Sequence, residues 1–156
     1  MSKPLYCIDT SGLIDWLERY YPPTFFPAII ERVDALIDEE RIFLSEEVWE
    51  EVQTKDEVAK SWCEPRKDQL IIPTDSAVVI EVRSILKSHE RLVMNLKNRN
   101  RADPFVIAVA KLKNATVITG EVGGTANRPK IPYVCEQIGV DCTSFLDLIR
   151  REGWTF

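Results

Sequence analysis

Histidine is nearly absent from this sequence, because His89 is the one residue of that type among 156. The four cysteines (Cys7, Cys63, Cys135 and Cys142) form no CxxC pair, and none lies near the histidine in sequence. A zinc centre built from cysteine and histidine is therefore not expected. Catalysis of the Ser-His-Asp or Cys-His kind would depend on His89 alone, and its charged neighbours favour a solvated loop.

Long apolar runs are also missing. No apolar stretch approaches the ~20 residues that a membrane-spanning helix needs, and residues 1–9 lack the layout of a signal peptide. We therefore expect a cytoplasmic protein without a membrane partner. A hydrophobic fraction of 45% and a charged fraction of 29% are typical of globular proteins, and the length fits a single domain over residues 1–156.

Excess positive charge is absent too, since the formal net charge is −5. This argues against broad electrostatic attraction to nucleic acid. The basic residues are unevenly distributed, however, and segment 91–101 contains several of them and no acid. One interpretation is a solvated loop. The other is a rim that contacts RNA phosphates through Lys97, Arg99 and Arg101, extended by Arg128.

Short apolar runs alternate with helix-like segments along the chain. The pattern predicts strands at 5–8, 41–45, 70–73, 115–119 and 140–144. It predicts helices at 11–20, 25–39, from 46 onwards, and at 56–64, 75–89, 102–114, 131–138 and 145–152. This alternation favours an α/β fold in which helices cover both faces of a mostly parallel sheet of about four to five short strands.

Two acidic residues directly follow predicted strands of this sheet. Asp9 ends the first strand, and Glu121 lies just after the strand 115–119. Ligands of parallel α/β sheets bind beyond the carboxyl ends of the strands, so both carboxylates could reach one edge. The simpler interpretation makes Asp9 a turn residue and Glu121 a loop residue.

Two further acids belong to predicted helices. Asp103 is expected to cap the helix that continues with Pro104 at its first position. Glu51 shares a helix face with Glu47 and borders the buried stripe of its helix. Taken singly, Asp103 is most simply a cap and Glu51 a surface residue. Asp15 is expected to be a solvated helix position.

Convergence of these four carboxylates would require a cation. Two carboxylates about 4 Å apart repel by ~4 kcal/mol at an effective dielectric of 20. Mg²⁺ or Mn²⁺ relieves this repulsion, because both ions prefer oxygen ligands. Such an ion polarises a phosphoryl oxygen and lowers the pKa of bound water. The candidate catalytic and metal-binding residues are Asp9, Glu51, Asp103 and Glu121.

The order of motifs resembles the PIN-domain family of metal-dependent ribonucleases, which includes VapC-like toxins. The matching segments are IDTS at 8–11, the acid six residues after Ser45, ADPFVIAVA at 102–110 and the TGE tip at 119–121. The resemblance spans nearly the whole chain. The TGE tip departs from the family pattern, which often has Thr-Asn-Asp there, so Glu121 would bind a metal directly or through water.

This resemblance implies a three-layer α/β/α sandwich and hydrolysis of RNA phosphodiester bonds that leaves a 5′-phosphate. It implies Mg²⁺ or Mn²⁺ as cofactor, with Thr10, Ser11 or Thr119 orienting metal-bound waters. It also implies RNA as substrate, and an antitoxin as a partner if the chain is the toxin of a type II toxin–antitoxin system. A homodimer is a further assembly that we consider.

Two other functions fit the residues. A PIN-like module that has lost catalysis would explain Glu121 and the acidic composition. A metal-dependent phosphatase of the haloacid-dehalogenase type is less favoured, since no second Asp follows two residues after Asp9. The aromatic residues near position 20 could stack on bases, although a core or oligomer interface is the simpler interpretation; they are Tyr20, Tyr21, Phe25 and Phe26.

Overall fold

The structure of the chain is a computed structural model that describes residues 2–94 and 102–156. Its strands are β1 (Tyr6–Ile8), β2 (Ile42–Ser45), β3 (Ile71–Ile72), β4 (Thr116–Ile118) and β5 (Cys142–Thr143). Its α-helices are α1 (Thr10–Ile14), α2 (Pro27–Asp38), α3 (Glu46–Lys55), α4 (Glu57–Cys63), α5 (Lys67–Leu70), α6 (Ser76–Ser88), α7 (Arg91–Met94), α8 (Asp103–Lys113), α9 (Ile131–Ile138) and α10 (Phe145–Glu152). A π-helical turn, Asp15–Tyr20, continues α1, and a 3₁₀ turn, Glu64–Arg66, joins α4 to α5.

The five strands form one sheet in the order β3-β2-β1-β4-β5, and each neighbouring pair is parallel. The chain builds outward from β1 through β2 to β3, then returns to the other side of β1 for β4. Strand order therefore reverses between β1 and β4. In open α/β sheets this switch point opens a crevice at the carboxyl ends of the strands.

Strand β1 lies at the centre of the core. Its three consecutive residues, Tyr6, Cys7 and Ile8, are all buried. Because successive side chains of a strand point to opposite faces, helices must cover both faces of the sheet. Helix α8 contacts β1, β2 and β4, and α6 packs against α8. The expected α/β/α sandwich with a parallel sheet is confirmed.

The start of α8 corrects one expectation. The helix begins at Asp103 and its N-cap is Ala102, whose carbonyl accepts from the N–H groups of Phe105 and Val106 at 3.0 Å. Asp103 makes no cap hydrogen bond. Pro104 at the second helical position has no N–H, which removes one donor that a capping side chain normally satisfies. The carboxylate of Asp103 is therefore available for other contacts.

Other differences concern short elements. The predicted helix at 11–20 divides into α1 and the π-helical turn, and the four-residue helices α5 and α7 were not expected. Helices this short bury too few residues to leave a periodic pattern in the sequence. None of the helices in the described ranges is long and apolar enough to cross a membrane.

Gly12 allows α1 to pack closely on β4. A Cβ atom at this position would lie 2.6 Å from the carbonyl oxygen of Ile118 and 3.0 Å from Cγ2 of Ile8. The first contact is with backbone, which cannot move without displacing the sheet. Glycine is therefore required here because of a close approach.

We expect the substitution Gly12→Ala to lower the free energy of unfolding by about 1–3 kcal/mol, as overpacking of a core does. Urea denaturation followed by circular dichroism measures this change. A variant as stable as the wild-type protein would show that α1 does not approach β4 this closely.

Candidate functional site

Asp9 lies at the switch point between β1 and β4. It follows Ile8, which pairs in register with Ile118, and its backbone N–H donates to the Ile118 carbonyl at 3.0 Å. Its side chain caps α1 by accepting from the Gly12 N–H at 2.7 Å. Asp9 is buried. The interpretation of Asp9 as a turn residue is therefore correct, since it lies between the end of β1 and the start of α1.

Two hydroxyl groups hold the carboxylate of Asp9. Thr119, which follows β4, donates to Oδ2 at 2.7 Å, and Ser11 lies 2.9 Å from Oδ1. The Gly120 N–H donates to Ser11 Oγ at 2.9 Å, and the Glu121 N–H donates to Thr119 Oγ1 at 3.1 Å. The tip 119–121 is therefore tied to Asp9 through side chains as well as through the sheet.

A small cavity brings the four predicted acids together. It encloses about 170 Å³, and we call it the acid cavity. Its lining residues are Asp9, Thr10, Ser11, Ile14, Val48, Glu51, Lys55, Ala102, Asp103 and Glu121. The four carboxylates come from the end of β1, from α3, from the start of α8 and from the segment after β4.

Asp103 carries the most perturbed carboxylate of this cavity. It is buried, and its Oδ2 atom has no hydrogen-bond partner among the described residues. Burial raises the pKa of Asp103 well above its usual range, and the carboxylates of Glu121, Asp9 and Glu51 raise it further, while the Lys55 ammonium opposes them. A buried charge without a partner is costly, so the group calls for a proton or a cation.

Asp9 and Glu121 are perturbed in the same direction. Burial raises the pKa of Asp9 to about 7, although the hydrogen bonds from Thr119 and Gly12 oppose the shift. Burial also raises the pKa of Glu121. The Ile131 N–H, which donates to its Oε2 atom at 3.1 Å, opposes this shift. Strongly perturbed acids that share a cleft are typical of functional sites.

Glu51 contributes to the cavity from α3 together with Lys55. Its Oε1 atom lies 3.2 Å from Nζ of Lys55, one helical turn further along. Glu47, on the same predicted face, instead accepts from the Thr74 hydroxyl. The structure thus separates two acids that the sequence placed together. Lys55 is a site residue that sequence reasoning missed, and its only signal was the i,i+4 spacing from Glu51.

The acid cavity contains the carboxylate oxygens that a hard cation prefers, but the described side chains are not arranged as a complete set of metal ligands. Within residues 2–94 and 102–156, no three acidic, histidine or cysteine side chains are placed to bind one metal ion directly. Direct binding by several carboxylates would therefore need changes of rotamer, or waters between side chain and ion. Mg²⁺ commonly retains several waters in proteins.

The remaining predicted residues have different outcomes. Ser11 and Thr119 contact Asp9, whereas the hydroxyl of Thr10 is buried and has no partner among the described residues. Arg128 is exposed and lies outside the lining of the acid cavity. The other three predicted phosphate contacts lie outside the described residues; they are Lys97, Arg99 and Arg101.

A larger cavity of about 550 Å³ adjoins the acid cavity. Glu121 lines both, and Thr119 and Gly120 form part of the wall of the larger one. Asp15 also lines it, and only 15% of its side chain is exposed. The expectation of a solvated Asp15 was wrong, because the π-helical turn that begins there brings this residue against Gly120.

A family model described as "Domain of unknown function (DUF4411)" matches residues 6–156. The chain belongs to the DUF4411 family. No curated protein matches the sequence. The match begins at the first strand and includes the four acids of the site, so this arrangement lies wholly within the family's domain.

Two solved structures share the fold of this DUF4411 chain. The crystal structure of VapBC2 from Rickettsia felis, bound to a DNA fragment from its promoter, matches with a TM-score of 0.56 and 16% identity, over 90% of this chain and 98% of that one. The crystal structure of FitAcB from Neisseria gonorrhoeae matches with a TM-score of 0.51 and 20% identity, over 90% and 97%. At such identities the likeness concerns the fold, and the expected PIN-like architecture is confirmed.

The raised pKa values predict how stability depends on pH in the metal-free protein. Asp9 titrates near 4 when unfolded and at about 7 when folded, so the folded state holds more protons between these values. Stability should therefore fall as the pH rises from about 4 through 7, and Asp103 extends the loss to higher pH. Chemical denaturation in a chelator at several pH values measures this.

The isosteric substitution Asp103→Asn should raise the free energy of unfolding at pH 8 by about 1–4 kcal/mol, since the wild-type carboxyl must take up a proton or bury its charge when the chain folds, and an amide needs neither. It should also flatten the pH dependence. Asp68→Asn is the matched control, because Asp68 is exposed. Equal stability of Asp103→Asn and wild-type protein across this range would contradict a raised pKa at Asp103.

Proposed function

We propose that this chain is a metal-dependent endoribonuclease of the PIN type. The observation that supports this most directly is the convergence of Asp9, Glu51, Asp103 and Glu121 on one cavity at the switch point of the sheet. The two buried carboxylates with raised pKa values, Asp9 and Asp103, suit a divalent cation that prefers oxygen ligands.

The chemistry of the donor set fits Mg²⁺ or Mn²⁺. When bound, such an ion supplies Lewis-acid activation of a phosphoryl oxygen and of a nucleophilic water. Asp9 and Asp103 would be the principal ligands, because their backbones are fixed by β1 and α8, and Glu51 and Glu121 would complete the set directly or through water. The hydroxyl of Thr10, which has no partner within residues 2–94 and 102–156, is suited to orient a water in the cavity.

Lys55 gives the site a positive group of its own. It lies at the acid cavity and pairs with Glu51. An ammonium near a phosphodiester stabilises negative charge that develops on the phosphoryl oxygens. We propose that Lys55 contacts the substrate phosphate, in addition to the basic segment that contains Lys97, Arg99 and Arg101.

We further propose that this nuclease is the toxin of a toxin–antitoxin pair. It rests on the resemblance to VapC-like toxins and on the fold shared with VapBC2 and FitAcB. The partner would then be an antitoxin encoded beside this gene, and the location would be the cytoplasm. A small neighbouring reading frame that encodes a DNA-binding protein would support this role, and co-purification of the two products would test it.

The nuclease proposal predicts that Asp9→Asn and Asp103→Asn each lower cleavage of RNA at least about a hundredfold, because even indirect metal contacts contribute that much. Glu51→Gln should also lower activity. The matched control is Glu50→Gln, which changes the adjacent, exposed residue of α3 and should leave activity unchanged. Cleavage is measured on structured RNA with single-stranded loops in Mg²⁺ or Mn²⁺. Full activity of Asp103→Asn with retained fold would falsify the site.

A catalytically inactive PIN-like binding module is the second candidate. It is favoured by the absence of a closed ligand set in the described residues and by the engagement of Glu121 with the Ile131 N–H. Calorimetric titration with Mn²⁺ separates the two. Binding that Asp103→Asn removes supports the nuclease, and no binding at millimolar Mn²⁺ supports the module.

A further inference from the structure

The larger cavity beside the acid cavity has the size and lining of a ligand site. Its volume of about 550 Å³ lies within the range of small-molecule pockets, whereas the acid cavity, at about 170 Å³, is too small to enclose a nucleoside. One wall is aromatic and is formed by Tyr20, Tyr21 and Phe145. A ligand with a flat apolar face would fit this wall.

The aromatic wall is rigid at its base and open at its mouth. Phe145 stacks on the buried Trp16 with ring centroids 5.1 Å apart, and Tyr21 lies 6.0 Å from Phe145. Tyr20 lies 6.4 Å from Tyr21 and is 61% exposed. The Tyr20 ring meets Tyr21 edge-on, so its own face is left for a flat ligand. Exposed aromatic faces of this kind are the platforms on which single-stranded nucleic acids stack their bases.

The π-helical turn combines this aromatic wall with a carboxylate. The Tyr21 N–H donates to the Trp16 carbonyl, five residues earlier, at 3.2 Å, which is the hydrogen bond of a π-helix. Asp15 and Tyr20 both belong to this turn, and both line the cavity. Nη1 of the exposed Arg19 lies 3.3 Å from Oδ1 of Asp15. A carboxylate accepts hydrogen bonds and donates none, so a ligand edge that takes the place of Arg19 must carry N–H or O–H groups.

The two cavities share a wall. Glu121 lines both, and Gly120 N–H donates to Ser11 Oγ on the acid-cavity side. A Cβ atom on Gly120 would lie 2.4 Å from Asp15 Oδ2, so the tip after β4 and the π-helical turn are in close contact. A nucleotide whose phosphate is at the acid cavity would therefore have its base within reach of the larger cavity.

We propose that the larger cavity binds an unpaired nucleobase next to the scissile phosphate, with guanine preferred. Guanine presents two adjacent N–H donors, N1–H and N2–H, on its Watson–Crick edge, and the Asp15 carboxylate would accept them in place of the exposed Arg19 guanidinium. An exposed ion pair of this kind contributes little stability, so its replacement costs little. Unpaired bases are the parts of RNA that proteins read on this edge. The proposal rests on the nuclease function for its biological meaning, but the binding event itself requires neither metal nor cleavage.

Nucleosides test the cavity without the phosphate chemistry. We expect guanosine to bind the protein in the presence of a chelator and to shift the backbone amide signals of Gly120, Gly123 and Thr143 in nuclear magnetic resonance spectra. Ribose, which lacks a base, should shift none of them. Inosine, which lacks only the 2-amino group of guanosine, should bind several-fold more weakly.

Two pairs of variants distinguish the role of each wall. Tyr20→Ala should weaken guanosine binding about tenfold or more, as loss of a stacking contact does. Phe25→Ala is the matched control, because Phe25 is 76% exposed on the same segment but does not line the cavity. Asp15→Asn should reduce the preference for guanosine over inosine, and Asp34→Asn, outside the cavity, should not.

The outcomes separate this proposal from the nuclease itself. Guanosine binding without RNA cleavage supports the base site and counts against the nuclease. The base site is overturned if the backbone amide signals do not respond to guanosine, or if the Tyr20→Ala variant binds guanosine as the wild type does. RNA cleavage by the same protein would still support the nuclease. Absence of guanosine binding to the wild-type protein would overturn the base site.

Discussion

The constraint on which this site depends is the burial of Asp9 and Asp103 next to Glu51 and Glu121, so that four carboxylates share one cavity. The opposite end of β1 shows the alternative solution. There the Tyr6 hydroxyl donates to Glu152, and Nη2 of Arg41 lies 2.6 Å from the same partly buried carboxylate, so this acid is paired. At the carboxyl end, Lys55 is the one cation that the described part of the chain contributes to the cavity lining, against four acids. This contrast supports our proposal that the carboxyl end of the sheet is the functional one.

The topology explains why these acids meet. Because strand order reverses at β1, the crevice between β1 and β4 is not crossed by a connection, and the residues that follow the two strands face each other. Asp9 and Thr119 are neighbours for this reason. Helices α3 and α8 then add Glu51 and Asp103 from elements that pack around the same edge. Each acid is held by a different element, so the site exists only when the whole sheet is assembled.

In the function that we propose, the acid cavity recognises charge and the larger cavity recognises shape. The acid cavity is small and polar and suits an ion and a phosphate, while the larger cavity is aromatic with one carboxylate at its wall. Glu121 lines both cavities, and the π-helical turn brings Asp15 and Tyr20 to the wall of the larger one. π-Helical turns are less stable than α-helical ones and occur frequently at functional sites, which fits this arrangement.

The sequence by itself determined the α/β class, the strands and long helices, and the four acids, because periodic burial and strand-end carboxylates leave local signals at Asp9 and Glu121. It did not determine that Asp103 makes no cap hydrogen bond, that most of the Asp15 side chain is buried, or that Lys55 lines the acid cavity. Those depend on contacts between elements far apart in the chain, such as Gly120 against Asp15. Tertiary structure decided them, since burial and electrostatic coupling are properties of the assembled crevice and not of any segment.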